Sequence, residues 1–170
     1  MAAFIEGKYA QAVPSFGSER MGAPVVAFCR IDDQEIRLRE PVMDPDILIV
    51  QDRTLFHAID VFNGLSASGY VLINSSKDLD SLGVDEVIKA LPKNQVACVP
   101  GTRLAQQYVK TPKPSAALLG AFAALTGIVH LESVIEAIQE KFPNKIAEAN
   151  CIVARLAYEH VGSGEELKHA

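Results

Sequence analysis

In the first half of the chain, apolar residues come in short dense runs separated by turn formers. Val25 to Ile31 is β-branched and apolar, and reads as a central strand. Asp32-Asp33-Gln34 marks a turn. In Glu35 to Arg39 the residues alternate, with Ile36 and Leu38 facing one way and Glu35, Arg37 and Arg39 the other. That pattern predicts a half-exposed strand paired antiparallel with Val25 to Ile31. Ile47 to Val50, after Asp44-Pro45-Asp46, has the continuous apolar character of a buried parallel strand. A short helix is expected from Arg53 to about Phe62, and Gly69 introduces a second buried strand, Tyr70 to Asn74.

The period then changes toward the helical one. Ser81 to Leu91 carries Val84, Val87, Ile88 and Leu91 at helical spacing, and Pro92 ends it. A strand over Gln95 to Val99 and a helix over Thr102 to Val109 follow. Thr111-Pro112-Lys113-Pro114 is a rigid loop. Ser115 is placed to cap an apolar helix reaching Leu125, with Gly127 at its end. The next helix spans Leu131 to Phe142, with Leu131, Val134, Ile135, Ile138 and Phe142 on one side. Pro143 and Asn144 break it. The last runs from about Lys145 to His160, with Ile146, Ala149, Val153 and Leu156 inward. The fold expected is α/β: a three-layer sandwich with a mixed, mostly parallel sheet and extra C-terminal helices. One domain over residues 1–161 is followed by a polar tail, 162–170. Ala2 to Lys8 reads as the end of a helix with nothing before it, which suggests that a preceding strand and turn are absent.

Composition narrows the function classes. A chain of 170 residues, 49% hydrophobic and 22% charged, suits one domain with a sizeable core. A formal charge of −5 and a pI near 5.4, without a run of Lys and Arg, argue against a dedicated nucleic-acid binder. No apolar stretch has the length of a spanning helix, and the N-terminus lacks the pattern of a signal peptide. Cys29, Cys98 and Cys151 lie far apart in apolar runs and read as reduced, buried thiols of a cytoplasmic protein.

Few residues are arranged for chemistry. No C-x-x-C occurs, and no His stands at metal-ligand spacing from a Cys. His57, His130, His160 and His169 are scattered: one on a helix surface, one where a helix cap belongs, one at a helix end and one in the tail. None has an evident orienting partner. Gly17 and Gly22 do not open a helix, so they form no dinucleotide fingerprint. Gly101-Thr102 joins a strand to a helix and reads first as a plain turn, with anion binding as its functional alternative. There remains the loop Ser15-Phe16-Gly17-Ser18-Glu19-Arg20. Ser15 and Ser18 offer hydroxyls, Gly17 permits close backbone approach, and Arg20 can grip a phosphate in a fork. The alternative there is an exposed loop with a weak Glu–Arg pair.

Lys8-Tyr9-Ala10-Gln11-Ala12, then Pro14-Ser15-Phe16-Gly17-Ser18-Glu19-Arg20, then Gly22-Ala23-Pro24-Val25 resemble the gamma subunit of the 2-oxoacid:ferredoxin oxidoreductases, the group that includes pyruvate synthase. In single-chain pyruvate:ferredoxin oxidoreductases the equivalent unit is an internal domain. The resemblance continues through Arg37-Leu38-Arg39, Pro45-Asp46, Ile47 to Val50 and Leu118-Leu119-Gly120-Ala121. Leu131-Glu132-Ser133, Glu136-Ala137-Ile138, Phe142 and Ala157-Tyr158-Glu159 complete it in order.

The resemblance implies an enzyme subunit without catalytic groups of its own. Thiamine diphosphate, Mg and iron–sulfur clusters would belong to alpha, beta and ferredoxin-like delta subunits, with ferredoxin as electron acceptor and no nucleic-acid or membrane partner. This chain would pack on the others and help form the site for the cosubstrate coenzyme A during oxidative decarboxylation to acyl-CoA. Gly17, Ser18, Glu19 and Arg20 match the loop that carries basic residues near coenzyme A, and Arg20 is the best match. Glu19 stands where some relatives have a second basic residue, which argues against a shared two-cation grip. His130 stands where relatives often have Ser. Relatives also begin with a strand and a Gly-rich loop. A stand-alone acyl-CoA or nucleotide-binding module, and the equivalent subunit of an indolepyruvate oxidoreductase, are the alternatives.

Overall fold

Three short apolar runs make a parallel sheet; the middle run is buried on both faces, while Ile47–Val50, expected to be buried, is an edge strand that leaves Ile49 39% exposed. The computed structural model describes residues 1–15, 24–83 and 85–163. Its strands are β1 (Tyr9–Ser15), β2 (Val26–Asp32), β3 (Ile47–Val50), β4 (Tyr70–Asn74) and β5 (Val96–Val99). Its helices are α1 (Ala2–Ile5), α2 (Asp85–Ala90), α3 (Gly101–Tyr108), α4 (Ser115–Thr126), α5 (Leu131–Lys141) and α6 (Asn144–Ser163). The parallel sheet has the order β3-β4-β5, in register Val50 to Ile73 and Ile73 to Cys98. No helix among the described residues is long and apolar enough to cross a membrane.

The period of two decides what each strand residue touches. Leu72 and Val99, both fully buried, point into a core shared with α3, α4, α5 and α6. Val71, Ile73 and Val96 point the other way, against Leu82, Leu91, Phe56 and Phe62. The sheet is therefore the middle of three layers. The expected α/β class with C-terminal helices is what the structure has.

The helical layer is assembled around α4, which is apolar along nearly its whole length and covered on most sides, with Leu119 left 46% exposed. It packs on β4 and β5 and against α3, α5 and α6. Gly120 lets the α4 backbone approach α6 closely: a Cβ there would overlap the Ala154 carbonyl. Gly127 ends α4 in the left-handed conformation, at φ 64°, as its position predicts. On α6 the inward stripe runs through Ala147, Cys151, Ala154 and Ala157.

Several expectations fail for identifiable reasons. β2 pairs antiparallel with β1, in register Ala10 to Ile31, and not with Glu35 to Arg39. The turn is there, with Asp32 Oδ1 accepting from the Gln34 N–H at 2.9 Å. No strand follows it, because Leu38 finds nothing to bury against and Arg37 closes onto Glu35 at 3.0 Å within the segment. Nor is β2 central: it lies in a two-stranded ribbon, and Val26 is exposed. The described strands thus form one antiparallel and one parallel sheet rather than a single mixed one. The helix expected from Arg53 is a single 3-10 turn, Arg53–His57. Ser81 to Leu91 divides into a 3-10 turn, Leu79–Ser81, and the short α2; Val84 lies outside the described residues. Ser115 is the first residue of α4 and makes no cap hydrogen bond; Pro114 occupies the cap position. Ile146 is 49% exposed, one residue out of phase with the α6 stripe, and Phe142 lies exposed past the end of α5.

The N-terminal segment is tied to the helical layer by polar contacts. His130 occupies the cap position of α5 but gives no side-chain cap bond. Glu6 does this from a distance: its Oε1 accepts from the His130 N–H at 2.7 Å, and its Oε2 lies 3.2 Å from His130 Nδ1. Lys8 Nζ donates to the Ile128 carbonyl at 3.2 Å. Desolvation pushes the Glu6 carboxyl up, but the hydrogen bonds from the His130 backbone, Ser133 and the His130 ring outweigh it and hold the group below its ordinary value of 4.5.

Replacing Gly120 by Ala forces α4 off α6 and should cost about 1–3 kcal/mol in a urea-unfolding measurement. Glu6→Gln should cost about 1 kcal/mol at neutral pH. Because the folded-state value is lowered, the contribution of Glu6 is complete above about 4.5 and disappears as the pH falls through the folded value. The stability difference between wild type and Glu6→Gln should therefore shrink in acid.

Candidate functional site

Parallel strands end on the same edge of their sheet, and the loops that follow them open a crevice there. After β3 come Gln51, Asp52 and Arg53. After β4, which Asn74 closes, come Ser75, Ser76 and Lys77. After β5 the chain turns into α3, whose second residue is Thr102. With Pro112 and Pro114 these groups line an open crevice of about 620 Å³.

Asn74 ties the crevice together. Its Nδ2 donates to the Gln51 carbonyl and to Thr102 Oγ1, each at 2.8 Å, and its Oδ1 accepts from the Thr102 N–H at 3.1 Å. The partners fix the orientation of the amide. Flipping it would set oxygen against the Gln51 carbonyl and NH₂ against the Thr102 N–H. The approach needs Gly101, where a Cβ would lie 3.1 Å from Asn74 Oδ1 and 3.2 Å from the Ala117 Cβ. Ser75 Oγ accepts from the Lys77 N–H at 2.9 Å and donates to the Lys77 carbonyl at 3.1 Å, which sets the turn that presents Lys77. Asp52 Oδ1 accepts from the Thr54 N–H at 2.9 Å and from Thr54 Oγ1 at 2.7 Å. These bonds hold the Asp52 carboxyl below its usual value, so it is ionised near neutral pH.

The arrangement is suited to holding a polar ligand. Arg53 and Lys77 supply positive charge at the rim, and no nucleophile–base pair lines the crevice. Cys98 lies on the opposite side of β5 from the helical core, and burial, with a smaller contribution from Asp78, pushes its thiol up to about 12. It is a neutral thiol, inert as a nucleophile. The histidines serve elsewhere. His57 is exposed, His130 meets Glu6, and His160 Nε2 lies 3.1 Å from the Cys98 carbonyl. Among the described residues no cluster of His, Cys, Asp and Glu could hold a metal ion.

The four residues singled out from the sequence, Gly17, Ser18, Glu19 and Arg20, lie outside the described residues, as does His169. The strands that bracket the loop are paired, Ser15 with Val26. The Gly101-Thr102 turn, weighed above as an anion site, does belong to the crevice. Asn74, Asp52, Arg53 and Lys77 were not singled out. The available signal was a polar run, Asn74-Ser75-Ser76-Lys77, directly after a wholly apolar strand. The buried-thiol reading holds for Cys151 and for the half-buried Cys98, but Cys29 is exposed on β2, because the ribbon is covered only at its base.

Residues 1–160 match the family described as pyruvate ferredoxin/flavodoxin oxidoreductase. The chain is 44% identical to the pyruvate/ketoisovalerate oxidoreductases common subunit gamma of Pyrococcus furiosus, over 93% of this chain and 84% of that protein. It is 43% identical to the pyruvate synthase subunit PorC of Methanothermobacter thermautotrophicus, over 94% and 83% of the respective chains. The crystal structure of the pyruvate oxidoreductase subunit PORC of Thermotoga maritima superimposes with a TM-score of 0.74 at 38% identity, covering 93% of this chain and 83% of that one.

Thiol labelling checks the cysteine environments. With iodoacetamide on the native isolated chain, Cys29 should be alkylated first, while Cys98 and Cys151 should react only on unfolding, as read by peptide mass spectrometry.

Proposed function

The chain belongs to the pyruvate ferredoxin/flavodoxin oxidoreductase family, and from that membership we propose that it acts as the non-catalytic gamma subunit of a 2-oxoacid:ferredoxin oxidoreductase, with pyruvate as the 2-oxoacid. It packs on the thiamine-binding subunits and helps form the coenzyme A site at which the acyl group becomes acyl-CoA. The crevice at the carboxyl ends of β3, β4 and β5 carries this reading: it offers polar and cationic groups to a ligand and no group to perform the chemistry.

Thiamine diphosphate, Mg and the iron–sulfur clusters sit on the alpha, beta and ferredoxin-like delta subunits, and ferredoxin takes the electrons. The donor set supports this division. A cluster is held by four thiolates, whereas this chain has three cysteines, on β2, β5 and α6. Scattered free thiols also suit a cytoplasmic setting. Within the coenzyme A site, Gly17, Ser18 and Glu19 supply close backbone and side-chain contacts, and Arg20 supplies the cation. Residues 1–161 act as one α/β unit, closed by α6.

Co-expressed with its partner subunits, the chain should enter a brown, thiamine-containing complex. A stable monomer on size exclusion that binds coenzyme A unaided would instead favour a stand-alone module. In the assembled enzyme, Arg20→Ala should raise the KM for coenzyme A roughly tenfold, as expected for a lost charge-assisted contact, and leave the KM for the 2-oxoacid unchanged. Equal effects on both, or none, would remove Arg20 from the site.

A further inference from the structure

The side of α6 turned away from the core has a pattern of its own. Ala147, Cys151, Ala154 and Ala157 are buried on the inward side. At about 100° per residue, the opposite side carries Lys145, Glu148, Ile152, Arg155 and Glu159, all exposed. They recur at alternating steps of three and four residues, the spacing of a seam between two helices. Ile152 stands in the middle and is 46% exposed. Ala149 and Leu156, both half-buried, border the seam along one side.

The charges on this seam are not engaged inside the chain. Arg155 and Glu159 stand one turn apart, yet neither they nor Lys145 and Glu148 form an ion pair among the described residues. A cation preceding an acid at this spacing is the weaker orientation for a pair within one helix.

Their order along α6 makes the seam complementary to itself. A second α6, laid antiparallel about a two-fold axis through Ile152, sets Lys145 against the partner's Glu159, since both lie seven residues from the axis. Glu148 and Arg155 fall on one side of the seam, four and three residues from the axis, so each Glu148 meets the partner's Arg155. Ala149 and Leu156 fall on the other side and meet across it. Ile152 packs on its own equivalent. The two-fold axis doubles every contact, as an isologous interface requires, and no like charges are set opposite each other. A parallel pair would set each charge against its own copy.

We propose that the outer face of α6 is an interface for a second copy of this chain, with the two helices packed antiparallel about Ile152. One helix pair buries less than the roughly 1,000 Å² of a stable free-standing interface. Association of the isolated chain is therefore weak and falls with salt. Where other contacts already hold two copies close together, the same seam acts at high effective concentration and fixes their orientation.

The test is disulfide linkage of the full chain under mild oxidation with diamide, in a Cys29→Ser background that removes the exposed thiol. Ile152→Cys should form linked dimers at least about tenfold faster than Ile146→Cys, which is equally exposed but off the seam. Adding Glu148→Arg or Arg155→Glu to Ile152→Cys should slow linkage roughly tenfold, because each sets two like-charge contacts across the axis. Adding both should restore the rate to within about threefold, since opposite charges then face each other in exchanged positions. Circular dichroism checks that these surface variants fold. Ile152→Cys linking no faster than Ile146→Cys overturns the proposal, even if the wild-type chain is a dimer by sedimentation equilibrium, since that dimer would use another face. Single reversals without effect, or a double reversal no faster than either single one, also overturn it. So do reversals that block entry into a complex with partner subunits yet leave linkage unchanged, because the face then belongs to another subunit.

Discussion

The rest of the structure depends on the two-sided burial of β4. Val71, Leu72 and Ile73 have no exposed surface at all, and a strand in that state needs a cover on each face. One cover is the helical layer built around α4; the other is a set of short turns and α2. The same constraint sets the position of the crevice. The apolar run stops at Asn74, a partly buried polar side chain at the end of the strand, and its hydrogen-bonding groups must find partners there. They find them on the neighbouring loop and on the first turn of α3, and so hold the crevice lining together.

Close packing of small residues lets the helical cover fit. Ala147, Ala154 and Ala157 lie on the buried stripe of α6, and five of the twelve residues of α4 are alanine, with Gly120 at the point of closest approach. Helices that approach this closely tolerate little change in volume. The N-terminal segment joins it through polar contacts, with Glu6 acting as a cap for α5 supplied by residues 124 positions away.

Division of labour follows from the kinds of side chain present. The described part of the chain places most of its titratable groups on the surface or in caps, with His160 half-buried against the Cys98 carbonyl. The crevice at the carboxyl ends of β3, β4 and β5 offers hydrogen-bonding groups and positive charge.

Much of the architecture was legible in the sequence because it is local. The runs Ile47 to Val50 and Tyr70 to Asn74, the helical spacing of α5, and Gly127 as a helix stop each depend on residues close together in the chain. The ordered motifs from Tyr9 to Glu159 were enough to indicate the family. Partners distant in sequence were not legible. Alternation in Glu35 to Arg39 suggested a strand, yet β2 chose Tyr9–Ser15, because strand pairing is decided by which segment can also bury a face. For the same reason Cys29 could not be recognised as exposed. The sequence by itself determined the α/β class and the family, and it drew attention to the acid–base loop. Only the tertiary structure decided that Asn74, Gln51 and Thr102 meet. Their contact spans three separate segments, and hydrogen bonding between groups so far apart in the chain leaves no periodic trace in the order of residues.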